Sequence, residues 1–222
     1  KATGIDLIGE TDGILPSPAY KRKRWKQDWY MGDLVNAGIG QGLWKATLPQ
    51  LVQATAALAD DGQRHQLHLL RATRKGFDGH WSPEAQPVPV VISTSHEHMQ
   101  SIRDAMVATV HGPTGTARAI GINAPYLMGG KTGTAQVVSN KNNLRLDPKS
   151  LPLNLRHQAL FIAFAPADAP RLVTAVVLQG TGRRGYYGGS TAGPVFKDVM
   201  SFALRGLKIA PTGTIRPPVK LT

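Results

Sequence analysis

The chain has 222 residues, of which 41% are hydrophobic and 6% aromatic, so it can bury a core and is too apolar for an intrinsically disordered chain. It has no cysteine, which excludes disulfide and thiolate chemistry, and no run of about 18 apolar residues that would predict a membrane-spanning helix. Lys and Arg number 26 against 14 Asp and Glu, and the net charge of +12 favours polyanionic partners without distinguishing nucleic acid, lipid headgroups and acidic wall polymers.

The first part of the chain is predicted to contain one irregular segment and one helix. Residues 1–42 are rich in Gly, Pro and charge, which indicates a long surface segment, and they include the basic run at 21–26. A helix is predicted to begin at a capping box formed by Thr47 and Gln50 and to end at Gly62.

Two short strands are predicted at 68–72 and 88–92, before a second helix. That helix is expected to begin near Thr94, with Glu97 at the capping-box spacing, and to stop at Gly112-Pro113. The stripe that is expected to face the core consists of Met99, Ile102, Arg103, Met106, Val107 and Val110, of which all but Arg103 are apolar.

The second half of the chain predicts strands followed by a helix. Three apolar runs are typical of strands, the first entered from a tight Gly-Gly turn and the last two joined as a hairpin: 129–138, 159–165 and 172–178. A polar loop is predicted at 139–156, and the last helix at Thr191 to Leu207. The pattern as a whole indicates an α+β fold, in which an antiparallel β-sheet is flanked by helices.

The tetrapeptide at 131–134, Lys-Thr-Gly-Thr, has the residue types that acyl transfer at a peptide carboxylate terminus requires. A cation and hydroxyls bind the carboxylate, a glycine admits the substrate backbone, and a backbone N–H can face the developing oxyanion. Strand alternation sends Lys131 and Gly133 to one face and the two threonines to the other, so we expect a bulge or twist to bring them together. Thr-Gly-Thr alone is weak evidence, because it also occurs at 114–116 and 212–214.

Motifs along nearly the whole chain carry a family resemblance. In chain order they are Thr3–Leu7, Gly9-Glu10, Trp29–Asp33, Gly38–Gly42 with Thr47, Pro49 and Gln50, Gly115–Ala117, Lys131–Gln136, His157, Phe161–Pro166 and Ala192–Phe196. In this order they resemble the class B penicillin-binding proteins, and among these the elongation-type transpeptidases. Several motifs in one order are more specific than any single one.

The resemblance implies a penicillin-binding, serine β-lactamase-like transpeptidase fold, with residues 1–208 as the C-terminal part of the transpeptidase domain and 209–222 as a Pro-rich tail. It also implies a serine enzyme with the motifs Ser-x-x-Lys, Ser-x-Asn and Lys-Thr/Ser-Gly. None of the nine serines has Lys three residues on or Asn two residues on. Only the third motif is therefore in this chain, and the nucleophile is expected upstream of Lys1.

The same resemblance implies a role for each residue of the tetrapeptide. Lys131 orients the second-motif serine and the proton relay, and Thr132 and Thr134 bind the carboxylate of a substrate or of a β-lactam alongside Gly133. The N–H of Thr134 supplies half of the oxyanion hole. Without the nucleophile, this chain alone is expected to be inactive.

The implied substrates are peptidoglycan stem peptides ending in D-Ala-D-Ala, and the implied inhibitors are β-lactams. No cofactor is implied. The expected partner is a membrane-anchored glycosyltransferase or another member of an elongation complex, and the expected location is the periplasmic face of the bacterial inner membrane, with the anchor outside this chain.

Two other functions stay open at this point: a D,D-carboxypeptidase or β-lactamase-like hydrolase, and a basic binding module without catalysis. No nucleic-acid motif accompanies the basic run at 21–26, so no nucleic-acid partner is expected. His96 and His98 stand two apart on a predicted helix and diverge, so no metal site is expected there. His157 is expected to be structural.

Overall fold

The computed structural model describes residues 1–92, 95–137, 150–181 and 185–212. The chain divides into two compact units, which we describe separately. The N-terminal unit comprises residues 1–53 and 65–89, and the C-terminal unit comprises residues 54–64 and 90–222.

Two short helices occupy the segment 1–42, so the prediction of an irregular segment there is wrong. Helix α1 is Pro18–Trp25, and it begins where the Ser17 side chain accepts the N–H of Tyr20 at 3.1 Å. Helix α2 is Met31–Gly38, and it begins where the Asp33 carboxylate accepts the N–H of Tyr30 at 2.8 Å. Capping hydrogen bonds stabilise the ends of such short helices, which the sequence does not mark with an apolar stripe.

Two carboxylates hold the first ten residues in the N-terminal unit. Glu10 accepts the N–H groups of Thr3 and Gly4, each at 2.8 Å. Asp6 accepts the N–H groups of Leu69 and Leu70 at 2.6 and 2.8 Å, and these bonds lower its pKa. The N–H groups of Leu69 and Leu70 thus bond to a side chain and not to a neighbouring strand. The strand predicted at 68–72 is therefore wrong in extent.

The sheet of this unit has only two short strands in the described residues. Strand β2 is Ala72–Thr73 and pairs antiparallel with β3, Ser82–Pro83. In the C-terminal unit, β1, Gln63–Arg64, pairs with β4, Val90–Val91. The strand predicted at 88–92 is therefore present but shorter.

Helix α3, Leu48–Ala59, confirms the predicted capping box. The N–H of Thr47 donates to Gln50 Oε1 at 2.9 Å, and the N–H of Gln50 donates to Thr47 Oγ1 at 3.3 Å. Gly62 follows its end with a φ of +86°, a conformation that glycine adopts without steric cost, and donates to the carbonyl of Ala57 at 2.7 Å.

Helix α4, His96–His111, is confirmed, but its cap differs from the prediction. The Ser95 side chain accepts the N–H of His98 at 3.1 Å, so Glu97 does not stand at the capping-box position. Thr94 lies outside the described residues. Gly112 ends the helix as predicted, and Met99, Met106 and Val110 are its buried residues.

The main sheet belongs to the C-terminal unit and has the order β5-β6-β7, all antiparallel. Its strands are Gly129–Ala135, Gln158–Ala165 and Leu172–Leu178. The predicted hairpin is confirmed. The first strand ends three residues earlier than predicted, at Ala135, and residues 138–149 lie outside the described part. Residues 150–156 contain a 3₁₀ turn at Leu153–Leu155.

Helix α6, Gly188–Gly206, begins three residues before its predicted start. A Cβ on Gly188 would fall deep inside contact distance of the Leu160 carbonyl, so the bare backbone at this end packs directly on the sheet. The side chains buried between α6, the short helix α5 (Arg118–Gly121) and the sheet form one core: Val110, Ile120, Tyr126, Met128, Phe161, Phe196, Met200 and Leu204. The predicted α+β fold, an antiparallel sheet flanked by helices, is thus confirmed.

The beginning of the predicted tail is attached to this core. The Tyr126 hydroxyl donates to the carbonyl of Ile209 at 2.8 Å, and the N–H of Leu127 donates to Thr212 Oγ1 at 2.7 Å. Residues 213–222 lie outside the described part, so the domain boundary at 208 stays a prediction.

Candidate active site

The Lys-Thr-Gly-Thr tetrapeptide lies in the middle of β5. Pairing with β6 runs one to one from Gly129 opposite Phe164 to Ala135 opposite Gln158, so of the bulge or twist that we expected, the bulge is absent. Alternation therefore holds along the tetrapeptide. The other side of β5 pairs with no strand of the described residues, and we call it the open edge.

The backbone of β5 alternates between β6 and the open edge. The backbone N and O of Gly133 and the carbonyl O of Leu160 all lie within 2.9 Å of one point, the position that a Cβ on Gly188 would occupy. These three backbone atoms are therefore close to one another. This grouping indicates that Gly133 and Leu160 form a pair whose N–H and C=O groups face each other. In an antiparallel ladder the residues on either side, Thr132 and Thr134, then direct their N–H and C=O groups to the open edge.

Lys131 places a cation at this open edge. Its side chain is exposed, and its Nζ donates to the carbonyl of Thr132 at 2.7 Å. The ammonium thus lies beside the backbone group at which an added strand would pair. Thr132, Gly133 and Thr134 are each partly buried, so the strand remains accessible beside the cation.

Thr132 meets two segments that are distant in sequence. Its Oγ1 lies 3.1 Å from Oγ1 of Thr116, in the turn that follows α4. A Cβ on Gly189, in the first turn of α6, would lie 3.3 Å from Cγ2 of Thr132 and 2.5 Å from the carbonyl O of Thr116. In the sequence, Thr116 belongs to the family motif at 115–117 and to a second Thr-Gly-Thr at 114–116, and no local signal connects it with residue 132.

The two glycines before Lys131 seat aromatic rings instead of making the predicted turn. Both lie within β5 and are buried. A Cβ on Gly130 would come within 2.8 Å of the Phe161 ring, and one on Gly129 would clash with the edge of the Phe164 ring. The tight-turn prediction is wrong because both glycines pair with β6 as strand residues. The rings on that strand leave no room for side chains, which explains why glycine stands at these positions.

His111 ties the end of α4 to the entry of β5. Its Nε2 accepts the N–H of Met128 at 3.0 Å, which requires a neutral ring with the proton on Nδ1. Burial lowers the pKa of His111, in agreement with that neutral form. No motif in the sequence marks this histidine as a functional residue.

At the other end of β6, His157 packs against an aromatic pair. Its ring meets the Tyr186 ring edge-on at 5.0 Å, and Tyr186 lies 4.7 Å from the ring of Tyr187. The carbonyl of His157 accepts the Thr181 hydroxyl at 3.1 Å, while its buried Nδ1 has no hydrogen-bond partner in the described residues. Its structural role stays a prediction.

The basic run at 21–26 lies largely in α1, where part of its charge is neutralised. Lys21 is 8% exposed and pairs with Asp33 at 2.7 Å, and Arg22 pairs with Asp28 at 3.0 Å. These pairs reduce the charge that the run offers to a polyanion.

The histidine pair at the start of α4 is used for a surface contact. His96 Nδ1 lies 2.6 Å from Oδ2 of Asp61, which Arg103 approaches at 3.4 Å. Across the described ranges, no three metal-ligating side chains come together. In the same ranges, every helix is too short or too polar to cross a membrane.

Comparisons with known proteins agree with the motif resemblance. The family described as the penicillin binding protein transpeptidase domain matches residues 1–201. The peptidoglycan D,D-transpeptidase MrdA of Salmonella typhimurium is 36% identical over 201 residues, which are 90% of this chain and 32% of that protein. This chain thus spans about a third of the length of the curated relatives it matches.

Solved structures show the same fold. Penicillin-binding protein 2 (PBP2) of Pseudomonas aeruginosa, in complex with WCK 5153, is 37% identical with a TM-score of 0.69, over 90% of this chain and 40% of that one. PBP2 of Helicobacter pylori, in complex with MreC, is 27% identical with a TM-score of 0.72, over 93% of this chain and 34% of that one. The predicted transpeptidase fold and the resemblance to elongation-type enzymes are confirmed.

Proposed function

Because this chain belongs to the penicillin-binding protein transpeptidase family, we propose that it is the C-terminal part of a peptidoglycan D,D-transpeptidase. The observation that carries the proposal is the arrangement along β5. Lys131 lies exposed at an open strand edge, where its Nζ donates to the backbone carbonyl of Thr132. This is an edge that an extended peptide can join as an added strand.

The reaction proceeds in two steps in the longer protein, acylation of the serine and transfer of the acyl group to an amine. The upstream serine hydroxyl attacks the carbonyl carbon between the two D-Ala residues, an ester bond forms, and the C–N bond breaks. The serine proton passes through the proton relay to the amine of the departing D-Ala. An amine of a neighbouring stem peptide then attacks the ester, a C–N bond forms, and the serine oxygen recovers a proton as the C–O bond breaks.

In this proposal each residue of the tetrapeptide acts on the substrate or its relay. Lys131 attracts the terminal carboxylate and supports the relay, and the hydroxyls of Thr132 and Thr134 hydrogen-bond that carboxylate. Gly133 leaves the strand without a side chain against the substrate backbone. The Thr134 N–H, directed to the open edge, donates to the carbonyl oxygen as its negative charge develops.

The same groups would receive a β-lactam. A penicillin carries a carboxylate and a reactive carbonyl, and its ring amide takes the place of the scissile peptide bond. Attack by the serine opens the ring, the nitrogen accepts the proton, and the product remains as an ester. The family description, penicillin binding, supports this part of the proposal.

The expected location is the periplasmic face of the inner membrane, because peptidoglycan is cross-linked outside the cytoplasm. The PBP2 of H. pylori, which resembles this chain, is in complex with MreC. That complex supports an elongation-complex partner for the longer protein. A membrane-anchored glycosyltransferase is the further partner that we propose.

Product analysis tests the acceptor. The full-length protein is incubated with stem peptides that carry both a D-Ala-D-Ala end and an acceptor amine, and the products are separated by mass. A transpeptidase yields cross-linked dimers. Release of tetrapeptide without any dimer would instead identify a D,D-carboxypeptidase, which uses water as the acceptor. The similarity to MrdA favours the dimer.

A further inference from the structure

Thr116 lies in a turn that is tied to α4 on both sides of it. The N–H of Gly115 donates to the carbonyl of Gly112 at 3.2 Å, and the N–H of Ala117 donates to the carbonyl of Thr109 at 3.0 Å. A Cβ on Gly115 would fall inside contact distance of the Thr109 carbonyl, so the turn lies directly against the helix end. The position of the Thr116 hydroxyl is therefore set by α4.

Thr132 is held against this hydroxyl by α6. The bare backbone at Gly189 lies close to the Thr132 methyl group and to the carbonyl of Thr116. Since a β-branched side chain has few χ1 choices, a methyl group fixed on one side directs the hydroxyl to the other. That hydroxyl is 3.1 Å from the Thr116 oxygen.

The direction of this hydrogen bond matters for an anionic ligand. A hydroxyl has one proton to donate and can accept two. If Thr132 donates to Thr116, its proton is no longer available to a carboxylate. If Thr116 donates to Thr132, the Thr132 proton is free to bind the anion, and the two bonds polarise each other favourably.

We propose that Thr116 is a positioning residue of the carboxylate subsite, an inference that rests on the proposed function. Its hydroxyl donates to Thr132 Oγ1 and so orients the Thr132 proton toward the carboxylate of the stem peptide or of the β-lactam. Thr116 acts through Thr132 and does not contact the reacting carbonyl.

Acylation of the full-length protein by benzylpenicillin tests the proposal. In Thr116→Val the rate constant at subsaturating penicillin falls about 3- to 10-fold, as expected for one hydrogen bond. The loss lies in the binding constant, and the acylation rate at saturation changes by less than about twofold, because the carboxylate contact is alike in ground state and transition state. Thr116→Ser restores the wild-type value, which a purely structural role of the methyl group would not predict.

Thr109→Val is the matched control, because it removes a hydroxyl near the end of α4 that donates to the carbonyl of Ala105 within the helix at 3.0 Å. Its acylation stays at the wild-type rate. If Thr116→Val lowers the melting temperature, the acylation rate constant of Thr116→Ala is measured in its place.

A double-mutant cycle with Thr132→Val completes the test. Adding Thr116→Val to Thr132→Val does not lower the acylation rate constant further, because the hydroxyl proton that Thr116 orients is already absent. Wild-type acylation by Thr116→Val, or losses that simply multiply in the double variant, would overturn the inference. A wild-type protein that takes no penicillin would overturn the proposed function itself.

Discussion

His111 accepts the backbone N–H of Met128 through Nε2 at 3.0 Å, one residue before β5 begins. A histidine can accept at that nitrogen only when it is neutral, and burial already lowers its pKa below the usual value. The contact joins the end of α4 to the strand that carries Lys131. The attachment of β5 therefore depends on the protonation state of a residue outside the tetrapeptide.

This contact predicts a pH dependence of stability. In the unfolded chain His111 is protonated as the pH falls through about 6.5, whereas in the folded chain its protonation requires a lower pH. The contribution of His111 to the free energy of unfolding is therefore complete above about pH 6.5 and is lost as the pH falls below it. We expect His111→Gln, which keeps an acceptor without titrating, to flatten the fall in the free energy of unfolding between about pH 7.5 and 5.5.

Urea unfolding of the full-length protein at a series of pH values measures this effect. The matched control is His80→Gln at an exposed histidine, which should leave the pH profile unchanged. A His111→Gln profile that falls as steeply as the wild-type profile would show that another group is responsible.

Lys131→Ala is expected to abolish penicillin labelling of the full-length protein while leaving its melting temperature nearly unchanged. The side chain is exposed and its Nζ bonds only to a neighbouring carbonyl in the described structure, so its removal opens no cavity. Labelling with a fluorescent penicillin and a thermal melt measure the two properties. Lys75→Ala, at another exposed lysine, is the control, and normal labelling of Lys131→Ala would remove the proposed role of this cation.

The 222-residue chain alone is expected to form no covalent adduct with a β-lactam, because no Ser-x-x-Lys nucleophile is present in it. Intact-mass spectrometry after incubation with benzylpenicillin checks this, with the full-length protein as the positive control. A stable mass increase equal to one penicillin on the 222-residue chain would mean that one of its own side chains is acylated.

Gly130→Ala is expected to destabilise the fold by about 1–3 kcal/mol, because the added methyl group would come within 2.8 Å of the buried Phe161 ring. The ring cannot withdraw without disturbing its contact with Phe196 at 5.0 Å between centroids. Chemical denaturation measures the change. Gly32→Ala is the matched control, since nothing lies within 4 Å of its Cβ position in α2, and it should stabilise by about 0.5–1 kcal/mol.

Elements whose signals are local could be predicted from the sequence. The capping box of Thr47 and Gln50 and the stop at Gly112 place the ends of α3 and α4 through bonds between near neighbours. The apolar runs of β6 and β7 also suffice to predict their pairing, because a hairpin pairs segments that are adjacent in sequence. Helix α1 had its own local signal in Ser17 and Pro18, which the irregular composition of the surrounding segment obscured.

Elements whose cause lies elsewhere in the chain were missed. The carboxylate of Asp33, which caps the start of helix α2, also pairs with Lys21 from the preceding helix. Gly129 and Gly130 were predicted as a turn at the start of the strand, and only the aromatic rings of β6 explain why glycine stands at these two strand positions. The pairing of Leu69 and Leu70 with Asp6 likewise joins residues more than sixty positions apart.

By itself, the sequence determined the family and the α+β class and directed attention to the tetrapeptide that we propose acts on the substrate, because residue types and their order are sufficient for these. The tertiary structure decided that β5 runs without a bulge, that Thr116 and Gly189 meet Thr132, and that His111 holds the strand entry. The physical reason is that hydrogen bonds and van der Waals contacts depend on distances of a few ångströms in space, and the separation of two residues along the chain does not determine those distances.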